Sequence, residues 1–192
     1  AHHVGLSHVF KMVKAFREKD TQTPIILMGY ANPIEAIGAE AFVERAKTAD
    51  VDGIITVDYP PEECMQFTKL LKEKNIDSIF LLSPTSELNR VKLIIEQASG
   101  FLYYVSLKGV TGAANIDIEQ VKSKVGMIRE LTDLPIGVGF GVRDAATAKE
   151  VAKISDAVVV GSRMVQEIEN SNQENLIQNI SKLMQELREA VN

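Results

Sequence analysis

The sequence has a single cysteine, Cys64, among its 192 residues. One cysteine excludes an intramolecular disulfide framework and a metal site built from several cysteines, and it is typical of a reducing compartment. No apolar run reaches the roughly 20 residues that a membrane-spanning helix requires, and the N-terminus lacks the charged and then apolar pattern of an export signal. These absences predict a soluble cytoplasmic protein that holds no metal.

Positive charge is also scarce, because 21 Lys and Arg stand against 26 Asp and Glu, for a net charge of −5. Proteins that bind nucleic acid or anionic membranes present basic faces, so the composition argues against both kinds of partner. A length of 192 residues fits one large domain or two small ones. Because no linker or low-complexity tract interrupts it, we predict a single domain over residues 1–192.

Short apolar runs recur along the chain, and each is followed by an amphipathic stretch. There are six: Pro24–Tyr30, Gly53–Asp58, Ser78–Ser83, Phe101–Ser106, Pro135–Gly141 and Ala157–Ser162. Continuous apolar runs, as opposed to alternating ones, indicate strands that are covered on both faces. Their starts lie 22 to 34 residues apart, which leaves room for a crossover helix between parallel neighbours. The pattern predicts an α/β fold with a parallel sheet.

The stretches between these runs carry apolar residues at helical spacing. Capping-type residues indicate where several of the helices begin: Ser7, the segment 60–63 and Asp144. A further short helix is predicted after Gly161 and Ser162.

In parallel α/β folds, functional groups gather at the C-terminal ends of the strands. Three successive strand ends carry glycines here: residues 109–112, residues 139–141 and the pair Gly161 and Ser162. Glycine lets backbone N–H groups approach an anion, and a helix N-terminus adds a favourable dipole. The three loops favour a phosphate site, although glycines after strands also serve simply as turn formers.

Other side chains at strand ends have two interpretations each. Asp58 could act as an acid or base, or it could cap a helix or bind a neighbouring backbone N–H. Lys108 could bind an anion or form a Schiff base, but a solvent-facing lysine is the simpler interpretation. Tyr30, Tyr103 and Phe140 could line an apolar ligand pocket, or could belong to the core.

Six segments carry motifs whose order and spacing are similar to those of one known family: Pro24–Pro33, Val51–Pro61, Phe80–Thr85, Tyr103–Asn115, Pro135–Val142 and Val158–Ser162. They resemble the tryptophan synthase alpha chain family over essentially all of the sequence. The stretch from Tyr103 to Gly112 is the most specific part. The motifs VGFG and VVVGS alone occur in several phosphate-binding barrels.

The resemblance implies a TIM (β/α)8 barrel and a lyase of tryptophan biosynthesis. Its reaction is the retro-aldol cleavage of indole-3-glycerol phosphate to indole and glyceraldehyde 3-phosphate. The family's alpha chain uses no cofactor. It passes indole to a partner beta chain that carries pyridoxal phosphate, within an alpha2–beta2 complex.

The resemblance also implies roles for individual residues. By position, the phosphate-binding backbone groups are those of Gly112, Gly141, Gly161 and Ser162. The wall of the indole pocket matches Tyr30, Ile55, Leu81, Tyr103 and Phe140. Thr111 matches the threonine of a mobile loop that helps to organise the closed site.

The sequence departs from the family because it carries only about six of the eight βα units of the barrel. Residues 7–16 resemble part of the second helix, and the family's catalytic glutamate and aspartate precede it. Neither carboxylate has a counterpart here, and we do not assign Asp58 or Glu62 to replace them, so the catalytic residues are unknown. We therefore expect the chain to be part of a longer protein and to be nearly inactive alone. Two alternatives stay open, namely another phosphate-sugar isomerase or epimerase and a non-catalytic module that binds a partner.

Overall fold

The computed structural model describes residues 4–106, 117–139 and 141–192. Within these ranges the strands are β1 (Ile26–Gly29), β2 (Gly53–Thr56), β3 (Asp77–Leu82), β4 (Leu102–Val105), β5 (Ile136–Gly139) and β6 (Ala157–Val159). The helices are α1 (Leu6–Arg17), α2 (Ala31–Ile37), α3 (Ala39–Thr48), α4 (Met65–Glu73), α5 (Leu88–Gln97), α6 (Ile118–Arg129), α7 (Ala145–Ala152), α8 (Ser162–Glu169) and α9 (Leu176–Val191). All the predicted apolar runs contain a strand, and helices follow each strand.

The described residues divide into two compact units. The first takes those within Ala1–Phe80 and Lys92–Gly100, and the second takes those within Leu81–Val91 and Phe101–Asn192. The single domain over residues 1–192 stays a prediction.

The first unit is built on parallel strands β1 and β2 and on the first four residues of β3, Asp77–Phe80. The register pairs Leu27 with Ile54, and both side chains pack into a core supplied by the helices. Tilted aromatic rings join those helices, with Phe42 5.8 Å from Phe10 and 6.1 Å from Phe67 between ring centroids. The periodic apolar faces of α1, α3 and α4 thus cover one face of the strands.

The second unit is built on parallel strands β4, β5 and β6. The register places Tyr103 beside Gly137, and Val105 beside Gly139. Because side chains alternate along a strand, Tyr104 lies on the opposite face, where it is buried. Helix α9 packs against α7 and α8. The parallel α/β prediction is confirmed in both units.

Two predicted helix starts are wrong. Helix α1 begins at Leu6 after Gly5, so Ser7 lies inside the helix and does not cap it. Helix α4 begins at Met65, so residues 60–63 form a turn before it. Asp144 caps α7 as predicted.

Among the described residues, none of the helices has the length and apolar character that a membrane-spanning helix needs.

Candidate functional site

A cleft of about 930 Å³ lies in the second unit, where β5 and β6 end. Its lining includes Gly141, Gly161 and Ser162, three of the residues that the sequence assigned to phosphate. Tyr103, one of the residues assigned to the indole wall, lines the same cleft. The structure therefore brings predicted phosphate and ring contacts together in one place.

The two glycines of the cleft have different conformational roles. Gly141 has φ of +85°, a left-handed conformation that favours glycine because it lacks a Cβ. Gly161 precedes α8 and has no side chain to cap it, and among the described residues a Cβ there would meet no atom within 4 Å. The first N–H groups of a helix have no acceptor within the helix, and the dipole at this end favours an anion. An uncapped and open helix start suits an anionic ligand.

The Tyr103 side chain lines the cleft, and the space for its ring is left by a glycine of the neighbouring strand β5, Gly139. A Cβ at Gly139 would collide with the Tyr103 hydroxyl and would lie 2.6 Å from the ring atom Cε2. The carbonyl of Gly139 accepts a 2.8 Å hydrogen bond from the Ser106 hydroxyl, which fixes this part of the strand. Burial raises the pKa of the Tyr103 phenol above its ordinary value, so the ring presents a neutral surface.

Charged side chains for which the sequence predicted no role also line the cleft. Arg143 follows Gly141 by two residues, Arg163 follows Ser162 directly, and Glu169 lies at the end of α8. The Nη1 atom of Arg163 lies 2.8 Å from Oε2 of Glu167. Their position next to the glycines at the strand ends was the signal in the sequence that could have identified the two arginines.

The other predicted pocket residues fall elsewhere. Tyr30 belongs to the first unit, at the N-terminus of α2, and its side chain is 63% exposed. Ile55 is buried in β2 and pairs in register with Met28 and with Ile79. Leu81 is half-buried in β3 and belongs to the second unit. Their contacts with a ligand stay predictions. The remaining predicted residues lie outside the described ranges: Lys108, Thr111, Gly112 and Phe140.

Asp58 has a structural partner. Its Oδ1 accepts a 2.7 Å hydrogen bond from the backbone N–H of Ala31, the first residue of α2. Of the two roles left open for Asp58, the bond to a neighbouring N–H is the one observed. The structure gives no support for Asp58 as an acid or base.

Metal-ligating side chains and the cysteine thiol are the other groups of the described residues that could carry chemistry. No group of three or more His, Cys, Asp or Glu side chains there could hold a metal ion. Cys64 is 2% exposed, and burial raises the pKa of its thiol to about 11. The Cys64 thiol is therefore protonated near neutral pH and is not a ready nucleophile.

Comparison with known proteins decides the family. The family model described as "Tryptophan synthase alpha chain" matches residues 1–192. The chain belongs to the tryptophan synthase alpha chain family. This family consists of lyases of tryptophan biosynthesis, as the sequence resemblance implied.

Relatives within the family are similar over nearly the whole chain. The tryptophan synthase alpha chain of Nitrosomonas europaea is 52% identical over 99% of this chain and 69% of its own length. That of Herminiimonas arsenicoxydans is 55% identical, over 98% of this chain and 71% of its own length. The relatives are longer than this chain, which agrees with the predicted shortfall against the family.

Solved structures of the family confirm the fold class. The tryptophan synthase alpha subunit from Legionella pneumophila has a TM-score of 0.89 and 35% identity, over 99% of this chain and 71% of its own. A tryptophan synthase structure from M. tuberculosis in its aminoacrylate-bound form has a TM-score of 0.85 and 28% identity, over 99% and 70%. The fold is a partial TIM barrel that contributes six of the eight βα units.

Proposed function

We propose that the chain is the ligand-binding part of a tryptophan synthase alpha subunit. Its substrate would be indole-3-glycerol phosphate, which the complete site cleaves by a retro-aldol step to indole and glyceraldehyde 3-phosphate. The observation that carries this proposal is the cleft in which Gly141, Gly161 and Ser162 meet Tyr103. Membership of the family supplies the substrate.

The cleft suggests how each end of the substrate is held. The phosphate would lie against the backbone N–H groups of Gly161 and Ser162 at the uncapped start of α8 and against that of Gly141 after β5. The family resemblance adds Gly112, which lies outside the described residues. The Tyr103 ring, which cannot readily ionise, would contact the apolar ring of the substrate. Such contacts position the substrate, but they do not transfer protons.

No residue of the chain is assigned as the acid or base that transfers protons in this reaction. The family's glutamate and aspartate have no counterpart in the sequence, and Asp58 is engaged by the N–H of Ala31. A positioned acid or base contributes about 10²–10⁴-fold to a rate. We therefore propose that the 192-residue chain binds the substrate and turns it over at least about 100-fold more slowly than a complete alpha subunit.

The partner we propose is a tryptophan synthase beta chain in an alpha2–beta2 complex in the cytoplasm. By analogy with the family, the contacts would come from residues 32–38 and 58–61. We propose no cofactor on this chain, with pyridoxal phosphate on the beta chain. Both segments, which comprise most of α2 and the residues after β2, belong to the first unit, so they can be mutated without changing the cleft residues of the second unit.

Two measurements test the proposed function. Calorimetric titration with glycerol 3-phosphate should show binding, and Gly161→Asp should weaken that binding at least about tenfold because it places a carboxylate against the anion. Asn172→Asp adds the same charge in an exposed loop and should leave binding unchanged. Indole release from indole-3-glycerol phosphate is then followed with and without a beta chain.

The outcomes separate the candidate functions. Weak indole release by the unmodified chain that is reduced in Gly161→Asp supports the lyase. Phosphate binding and beta-chain binding without any indole identify a non-catalytic binding module. Failure of glycerol 3-phosphate to bind the unmodified chain contradicts the proposed function.

A further inference from the structure

The two arginines of the cleft differ in how far their charges are already neutralised. Arg163 forms an ion pair with Glu167, and the two side chains are 28% and 19% exposed. The ion pairs within residues 4–106, 117–139 and 141–192 do not include Arg143. Arg143 interacts electrostatically with the adjacent Asp144 carboxylate. It forms no ion pair among the described residues, so its guanidinium can pair with a ligand.

The acidic residue next to Arg143 in the sequence, Asp144, caps helix α7. The Asp144 carboxylate accepts a 2.8 Å hydrogen bond from the backbone N–H of Thr147 as the cap of α7. On the other side of Arg143, Val142 is 5% exposed and is buried in the core. Arg143 thus lies at the solvent-exposed edge of the cleft, between a buried residue and a fixed helix start.

The acid that lines the cleft is remote from the start of α8. Glu169 follows Ser162 by seven residues along the helix, which is about 10 Å at a rise of about 1.5 Å per residue. At about that distance water and salt weaken the repulsion between Glu169 and an anion held at the start of α8.

We propose that Arg143 is a specificity residue of the cleft. Its guanidinium pairs with the phosphate of a phosphate monoester and makes the cleft favour that dianion over uncharged analogues of the same shape. The inference rests on the proposed phosphate site and adds a side-chain charge to a set of backbone donors. Guanidinium suits this task because its planar fork of N–H groups matches two phosphate oxygens and stays protonated.

The test is a titration of the 192-residue chain with glycerol 3-phosphate. Arg143→Gln should weaken binding about tenfold, because it removes a charge-assisted contact at a partly solvated site. Arg143→Lys should recover part of the loss, because it restores the charge without the fork. Arg188→Gln removes the same charge from exposed α9, outside the cleft, and should change affinity less than twofold.

Salt dependence provides a second measurement that a structural role would not change. The affinity of the unmodified chain should fall between about 50 and 500 mM NaCl, and that of Arg143→Gln should fall less steeply, since salt screens the pairing. Unchanged thermal melting would show that the exposed substitution leaves the fold intact. Equal affinity and equal salt dependence for Arg143→Gln and the unmodified chain would overturn the inference while leaving the proposed function in place. If glycerol 3-phosphate does not bind the unmodified chain, the proposed function and this inference both fail.

Discussion

Arg17 lies at the end of α1 and joins the segments that lead into the first two strands. Its guanidinium donates to the carbonyls of Thr23, at 2.7 Å, and Asp50, at 2.9 Å, and it pairs with the Asp52 carboxylate. That carboxylate also accepts a 2.7 Å hydrogen bond from the N–H of Ile25. The Arg17 side chain is only 9% exposed, although that of Asp52 is 46% exposed.

We expect Arg17→Met to lower the free energy of unfolding by about 2 kcal/mol, because it removes the side-chain donor of two carbonyls and the ion-pair partner of the Asp52 carboxylate. This value is below the usual cost of breaking a fully buried pair, since water can reach Asp52. Urea unfolding followed by circular dichroism measures the difference. Lys182→Met is the matched control, because Lys182 lies 4.0 Å from Glu186 on the surface, and its loss should change stability by less than about 0.5 kcal/mol. Equal stability of the two variants would contradict the role of Arg17.

The role of a single residue was predictable where the local backbone conformation requires that residue type. Gly141 was assigned to the site from its place at the end of an apolar run and from the family resemblance, and its positive φ explains why glycine is present there. The partner of Asp58 was not predictable, because Ala31 lies 27 residues away and the contact depends on how β1 and β2 pair.

At the scale of elements, α7 shows how local chemistry sets a helix boundary. Asp144 accepts hydrogen bonds from Thr147, first from its backbone N–H and then from its hydroxyl, and these lower the pKa of the carboxyl below its ordinary 3.8. A carboxyl whose pKa is lowered by folding stabilises the fold above pH 3.8. That contribution is lost as the pH falls through the lower pKa of the folded state.

We expect Asp144→Ala to lower the free energy of unfolding by about 1 kcal/mol at neutral pH, the usual cost of losing a cap. The difference from the unmodified chain should shrink as the pH falls below 3.8, where the carboxyl protonates. Asp144→Asn keeps an acceptor oxygen without the charge and should cost less than the alanine variant. Denaturant unfolding at several pH values checks both. A difference that does not vary with pH would show that the charge of Asp144 has no part in the cap.

The strands were easier to predict than the helix boundaries. Each apolar run contains its strand because a buried strand needs a continuous apolar sequence. Between β1 and β2 the chain forms two helices, α2 and α3, which meet at Gly38 with φ of +85°. Helix ends depend on single caps and turns, whose competing signals lie within a few residues of one another.

At the scale of the whole molecule, unpaired strand edges follow from the parallel order of the strands. Within the described ranges, β1 pairs with β2 alone and β6 pairs with β5 alone. An edge strand exposes N–H and C=O groups that can pair with another chain. Met28 in β1 is 51% exposed, so this edge also presents apolar surface.

We expect the isolated 192-residue chain to associate with itself through these edges, with a mass by light scattering that rises with protein concentration. Met28→Lys should reduce the association, because a charged side chain opposes pairing at an edge. Met184→Lys on α9, where the methionine is 47% exposed, is the matched control and should leave it unchanged. A constant mass of 21.1 kDa at all concentrations would contradict the expectation.

The sequence by itself determined the order of strands and helices, the glycines at the strand ends and the family. The order of the elements follows from periodicity, the glycines follow from the turns in which they lie, and the family follows from motifs that resemble it in order and spacing. None of these predictions needs a distant contact. The tertiary structure alone decided that Tyr103 stands over Gly139 and that Arg143 shares a cleft with Gly161 and Ser162. The register of parallel strands and the rotation of each helix set those contacts, and they join residues that local sequence patterns cannot relate.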